Sequence, residues 1–192
     1  MTAVQVKKSE RETHWLEHKP EWTVDDLDAL PDDGFQVELF DGVLVVSPAP
    51  VPVHQDAILG MAVLLRAACP PELKVFVAPL DFRPNLRNSF QPDVLVARRE
   101  RIGAKNLVHP PVLAVEVLSP STRTKDLVFK RHAYATSKVA HYWTFDPDTR
   151  EFVAYALSGT EYKQVARATG PERVDLAEPF PVVVCPDEVA VG

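Results

Sequence analysis

Residues 112–118, Val112-Leu-Ala-Val-Glu-Val-Leu, follow Pro110-Pro111 and make an apolar run broken by a single acid. A short, continuously apolar segment reads as a central β-strand covered on both faces, because a strand with one wet face would alternate polar and apolar residues. Glu116 therefore falls in the middle of an oily strand. An ionised carboxylate left there alone costs several kcal/mol even after relaxation, so it requires either a basic partner or a metal ion with further hydrogen bonds.

Forward from that strand, Ser119-Pro-Ser-Thr is a polar turn, and helical composition runs from Thr124 to about Thr136. Asp126, Lys130 and Tyr134 recur at i, i+4 and i+8, which aligns them on one helix face that can look back at the strand end. His141-Tyr-Trp-Thr-Phe is a further strand, Asp146-Pro-Asp-Thr-Arg a turn, and 151–157 with 161–166 a hairpin around Ser158-Gly159.

Backward from it, 90–97 reads as a strand returning from a turn at Asn85 to Asn88, after strand stretches at 74–79 and 81–83. Residues 53–69 place Ala57, Ile58, Met61, Leu64, Leu65 and Ala68 at helical spacing, and Pro70-Pro71 ends the pattern. Phe35-Gln-Val-Glu-Leu-Phe and Val43-Leu-Val-Val flank Asp41-Gly42, a strong hairpin signal. Thr23-x-x-Asp before Leu27 and Leu30 starts a short capped helix that Pro31 stops. Strands dominate, with two main helices, so the expected fold is α/β in the broad sense, an α+β mixed sheet.

At 192 residues, 46% hydrophobic and 25% charged, the chain supports one good core. We expect a loose tail over 1–21 and one domain over 22–192. No stretch approaches a membrane span and the start lacks the apolar centre of a signal peptide, so the expected setting is cytoplasmic, without membrane contact. Cys69 and Cys185 fit neither a disulfide framework nor a zinc spacing. The net charge of −6 is concentrated at the start, with −7 in residues 1–41 and +1 in the rest. Bases gather in sequence around 83–105 and 121–138, either as solvated runs or as a surface for a polyanion.

Asp93 repeats the anomaly of Glu116: it opens the apolar Asp93-Val-Leu-Val and follows Pro92. Alone it also reads as turn chemistry, Glu116 alone as half of a buried ion pair, and Lys130 alone as an exposed pair with Asp126. Together, two carboxylates on neighbouring strands repel unless a divalent cation lies between them, and hard oxygen ligands favour Mg2+ or Mn2+. Lys130 could orient the attacking water and offset transition-state charge. Glu38 is either a solvent-facing hairpin residue or a further site carboxylate. His54, near the start of the 53–69 helix, reads as an ordinary loop or cap histidine, with a site role the lesser alternative.

Four stretches resemble one known family: Val37-Glu-Leu-Phe-Asp-Gly with Ser47-Pro-Ala-Pro after it; Gln91-Pro-Asp-Val-Leu-Val; Val115-Glu-Val-Leu-Ser-Pro-Ser-Thr followed by Asp126, Lys130 and Tyr134; and His141-Tyr-Trp-Thr-Phe-Asp-Pro. From Trp22 to Pro181 the chain resembles the Uma-type restriction endonucleases, also called domain of unknown function 820, within the PD-(D/E)XK nuclease superfamily. The resemblance implies a restriction-endonuclease-like core with an N-terminal hairpin, Asp93 as the motif aspartate, Glu116 as the second acid and Glu38 as an accessory acid. The superfamily lysine stands two residues after the acid, where this chain has Leu118; members of this family resemble one another in supplying it from the next helix, which points to Lys130.

The expected activity is hydrolysis of DNA phosphodiester bonds, with Asp93, Glu116 and the Val117 carbonyl on the metal and Arg87, Arg98, Arg99, Arg123 and Arg131 on the backbone. A homodimer is a reasonable expectation for cutting both strands. The alternative is a nuclease fold kept as a nucleic-acid-binding or protein-interaction module without turnover, motivated by Leu118 and the acidic start. A two-carboxylate glycosidase fits less well, because it wants an aromatic-lined cleft and aromatics are 8% of the chain.

Overall fold

A computed structural model describes residues 19–31, 36–47, 49–120 and 123–190. The expected tail as far as residue 18, Phe35, Pro48 and the Ser121-Thr122 of the third stretch lie outside the described residues. The fold is mixed α+β.

A six-stranded sheet forms the centre, in the order β10-β9-β8-β7-β6-β3. Its members are β3 (Leu73–Val77), β6 (Val94–Arg98), β7 (Leu113–Val117), β8 (His141–Asp146), β9 (Glu151–Ser158) and β10 (Glu161–Thr169). Every pairing is antiparallel except β7 with β8. Parallel neighbours need a crossover, and the segment between Val117 and His141 provides it as a helix. All five residues of β7 are buried, as its unbroken apolar character requires.

Alternation along the strands divides the core in two. Val94, Val96, Leu113, Val115 and Val117 point to one face, where they meet Ala57, Met61 and Leu65 of α2 (Pro52–Ala68). Leu95, Ala97 and Ala114 point to the other, with Tyr134, Ala135, Tyr142, Phe82 and Phe90. Glu116 shares this second face with Ala114, and the β6–β7 register, pairing Val94 with Val115, sets Asp93 across from Glu116 one step further on.

A smaller sheet, ordered β2-β1-β5-β4, lies at that second face. It contains the expected hairpin, β1 (Gln36–Phe40) and β2 (Val43–Ser47), together with β4 (Phe82–Asn85) and β5 (Asn88–Phe90). Asp41 and Gly42 both take positive φ, 48° and 83°, as a tight hairpin turn of this kind demands. The expected single strand over 90–97 is instead two strands in two sheets. Pro92 has no N–H to continue a ladder, so the chain leaves the small sheet at Phe90 and enters the large one at Val94.

Before β1 lies α1 (Val24–Asp28), with Thr23 and Asp26 forming the reciprocal capping box. The helix after β7 is not uniform. Residues 125–130 wind as a π-helix before α3 (Arg131–Thr136) resumes the α form, and the Arg131 N–H reaches back to the Asp126 carbonyl. Such wide turns are frequent at functional sites. Beyond β10, a two-stranded ribbon, β11 (Val174–Leu176) and β12 (Val182–Val184), and α4 (Pro186–Val189) close the α2 side. None of these three was anticipated. No helix is long and apolar enough to cross a membrane among the described residues.

Candidate active site

Glu116 points from β7 into a pocket of polar groups roofed by the helical crossover. Its Oε2 takes the Lys130 ammonium at 2.9 Å and its Oε1 takes the Tyr134 hydroxyl at 2.6 Å. Both donors come from the i, i+4, i+8 face. Asp126, the third member, is buried too, and its Oδ1 lies 3.8 Å from the ammonium. The reading of Lys130 as an exposed pair with Asp126 does not hold: Lys130 is 2% exposed, because the helix lays this face against the sheet.

Glu38 is fully buried. The hairpin face on which it sits turns inward, and the Glu38 carboxylate accepts the Gln91 N–H at 2.9 Å and lies 3.2 Å from the Lys130 ammonium. Solvent exposure therefore does not account for Glu38. Gln91, which carries no role in the sequence beyond opening a resembling stretch, links the site to the small sheet: its carbonyl lies 3.4 Å from the same ammonium and its side-chain amide donates to Asp81 at 2.7 Å. Asp81 in turn pairs with Arg83.

Asp93 stands nearer the surface, 9% exposed, where the chain has just crossed between sheets. Its Oδ2 accepts the Val117 N–H at 2.7 Å, one residue past the point where the β6–β7 ladder ends. From the opposite side His54, in the first turn of α2, places Nε2 2.8 Å from the Val117 carbonyl and 3.5 Å from Asp93 Oδ2. A carbonyl can only accept, so Nε2 carries a proton in this contact.

Four carboxylates, those of Glu38, Asp93, Glu116 and Asp126, thus share one buried ammonium. Burial drives the Glu116 carboxyl well above the usual range; Lys130 opposes this, and repulsion from Asp93, Asp126 and Glu38 adds to it. For Lys130 burial acts downward, but the pull of Glu116, Glu38, Asp126 and Asp93 outweighs it and raises the ammonium well above an ordinary lysine. His54 likewise ends above its ordinary value, since Asp93 and the Val117 carbonyl overcome burial. Among the described residues no three His, Cys, Asp or Glu side chains are arranged as a ready three-residue metal shell.

The five arginines expected on nucleic acid do not form one surface. Arg123 pairs with Asp146 at the end of β8, beside the carboxyl end of β7 where Glu116 and Val117 lie. Arg98 ends β6, five residues and roughly 17 Å of strand from Asp93. Arg99 donates to the Pro71 carbonyl at 2.6 Å, also at that far end. Arg87 is tied to Glu21 and Asp41 by the hairpin turn. Arg131 stacks over Tyr155, 4.5 Å from the ring centre, and donates to the Tyr162 carbonyl. Adjacency in sequence separated these groups because a strand carries its two ends to opposite edges of the sheet.

A solved structure from Anabaena variabilis ATCC 29413, described as "a putative nuclease belonging to DUF820", superposes with a TM-score of 0.66 over 87% of this chain and 96% of that one, at 17% identity. At that identity the likeness is one of fold. No protein of curated function matches in sequence. The family model Uma2, described as "Putative restriction endonuclease", matches residues 24–188, and these hold every residue of the cluster just described; the chain belongs to the Uma2 family.

Proposed function

We propose that the chain is a metal-dependent endonuclease that hydrolyses DNA phosphodiester bonds. The observation that carries this reading is the excess of acid around one ammonium: among the described residues the buried carboxylates of Glu38, Asp93, Glu116 and Asp126 surround Lys130, while Asp146, also buried, is matched by Arg123. Such an excess is costly unless a cation shares it. The donor set fits a hard divalent ion. Mg2+ keeps several waters and commonly takes only one or two carboxylates, so a full three-residue shell is not required.

Asp93 and Glu116, with the Val117 carbonyl, would hold Mg2+ or Mn2+. Such an ion, when bound, supplies a water of lowered pKa and neutralises phosphate charge. Asp93 is held in place by the Val117 N–H, and Glu116 by Tyr134 and Lys130, so both acids are oriented before substrate arrives. Lys130 forms the inner wall, where its ammonium orients the attacking water and offsets negative charge as it develops. Glu38 and Asp126 keep that ammonium charged and fixed. Arg123, 47% exposed, contacts the phosphate backbone at the mouth.

One observation favours a second reading, a binding module without turnover: both oxygens of Glu116 are already engaged by protein donors. Supercoiled plasmid incubated with Mg2+ or Mn2+ separates the two. Nicking by the wild type that Asp93→Asn and Glu116→Gln abolish supports the nuclease; DNA binding with no cleavage under either ion rejects it.

A further inference from the structure

We infer that His54 is a nitrogen ligand of the divalent cation and biases this site toward Mn2+ over Mg2+; the inference rests on the metal-dependent reading above. Three potential donor atoms meet at the outer edge of the cluster: His54 Nε2, the Val117 carbonyl oxygen and Asp93 Oδ2. Nε2 lies 2.8 Å from the carbonyl and 3.5 Å from the carboxylate oxygen. Ligands on adjacent corners of an octahedron with bonds of about 2.1 Å are about 3 Å apart, and the two observed separations bracket that value. These are two side chains and one main-chain oxygen, to which the reading above adds Glu116 from deeper in the cluster.

Each donor is fixed independently. The Val117 carbonyl belongs to a strand paired with Phe145, Asp93 is pinned by the Val117 N–H, and His54 is carried by α2, whose Ala57, Met61 and Leu65 are fully buried against the sheet. The histidine needs no backbone rearrangement to present nitrogen to an ion. When Nε2 gives its electron pair to the cation, the imidazole proton resides on Nδ1. That atom is buried and has no hydrogen-bond partner among the described residues. Metal-bound histidines ordinarily donate this second N–H to an acceptor, and such a contact is worth 10- to 100-fold in metal affinity, so His54 is a ligand of moderate strength, about tenfold in Kd. Imidazole nitrogen favours first-row transition ions over Mg2+, which prefers oxygen and water. The competing role is a hydrogen bond that only steadies Val117 and Asp93.

The two roles separate without any DNA present. Mn2+ binding to the full chain is followed by electron paramagnetic resonance, Mg2+ affinity by competition, and nitrogen coordination by pulsed detection of imidazole coupling to bound Mn2+. The expected result is nitrogen coupling in the wild type, its loss in His54→Ala, a rise of about tenfold in the Mn2+ Kd of that variant and little change for Mg2+. A wild-type spectrum without nitrogen coupling overturns the assignment, and it does so even if His54→Ala folds poorly. Equal weakening for both ions in His54→Ala and His54→Gln also overturns it, as a steadying role would produce. If Asp93→Asn abolishes Mn2+ binding while His54→Ala does not alter it, the metal reading stands and this assignment alone fails. If Asp93→Asn binds Mn2+ as the wild type does, the metal reading fails and takes this one with it.

Discussion

The Tyr134 hydroxyl lies 2.6 Å from Glu116 Oε1, two turns along the helix from Asp126, and neither side chain has appreciable contact with solvent. Tyr134→Phe preserves the ring, which packs edge-on against Phe90 at 5.6 Å, and removes only this donor. We expect a loss of about 1.5–3 kcal/mol in unfolding free energy, the usual range for a hydrogen bond to a charged group. Urea denaturation measures it; an unchanged midpoint would show that Glu116 does not depend on the hydroxyl.

The Lys130 ammonium lies against both Glu38, at 3.2 Å, and Glu116, at 2.9 Å. Lys130→Met should destabilise the fold by about 3–5 kcal/mol, because it removes the buried cation that lies against Glu116, Glu38 and Asp126. Glu116→Gln should cost less, since the ammonium keeps Glu38 and Asp126. The order of the two variants in denaturant is the test, and the reverse order would mean that Glu116 is the charge in greater need of a partner.

Gly60 touches the backbone of α4 so closely that a Cβ would sit 1.8 Å from the Val189 carbonyl oxygen. Backbone cannot step aside as a side chain does. Gly60→Ala should therefore lift α4 from α2 and cost about 1–3 kcal/mol, the range for overpacking. Faster amide exchange confined to 182–190 would report the displaced helix.

Asp26 closes the capping box of α1 and its pKa is lowered to about 2, first by the Lys19 contact and then by Thr23. The folded value lies below the unfolded one, so the stabilisation is fully present above pH about 4 and is lost as pH falls toward 2. Nuclear magnetic resonance titration of the Asp26 carboxyl should find the low midpoint, and Thr23→Ala should raise it.

Arg123 alone among the five candidate arginines stands at the carboxyl end of β7 and β8. Arg123→Ala should weaken DNA binding and reduce the salt slope by about one, whereas Arg98→Ala and Arg99→Ala should leave both nearly unchanged. Binding isotherms at several salt concentrations distinguish them.

Much of this was legible in residue order. An acid inside an otherwise apolar strand marked Glu116, and its counterpart after Pro92 marked Asp93, because burial makes a lone charge conspicuous. The helix face bearing Asp126, Lys130 and Tyr134 followed from spacing. Less legible was the part decided by assembly. Gln91 acts largely through its main chain, which leaves no mark on residue type. The π-turn at 125–130 leaves no mark in the spacing of residue types, β11 and β12 are three residues each and too short for a period, and His54 meets Val117 only through the packing of α2 on the sheet. Clustered bases misled for the opposite reason, since neighbours along a strand diverge in space.

The passage through Gln91, Pro92 and Asp93 mechanically joins two otherwise separate layers: its first residue grips Glu38 and the Lys130 ammonium from the hairpin side, and its last presents a carboxylate on the central side. A displacement of the hairpin layer would therefore be felt in the cluster as a change in spacing between Glu38 and Asp93. Substitutions at the Asp41-Gly42 tip of that layer are thus a way to alter the geometry of the cluster without replacing any of its polar groups.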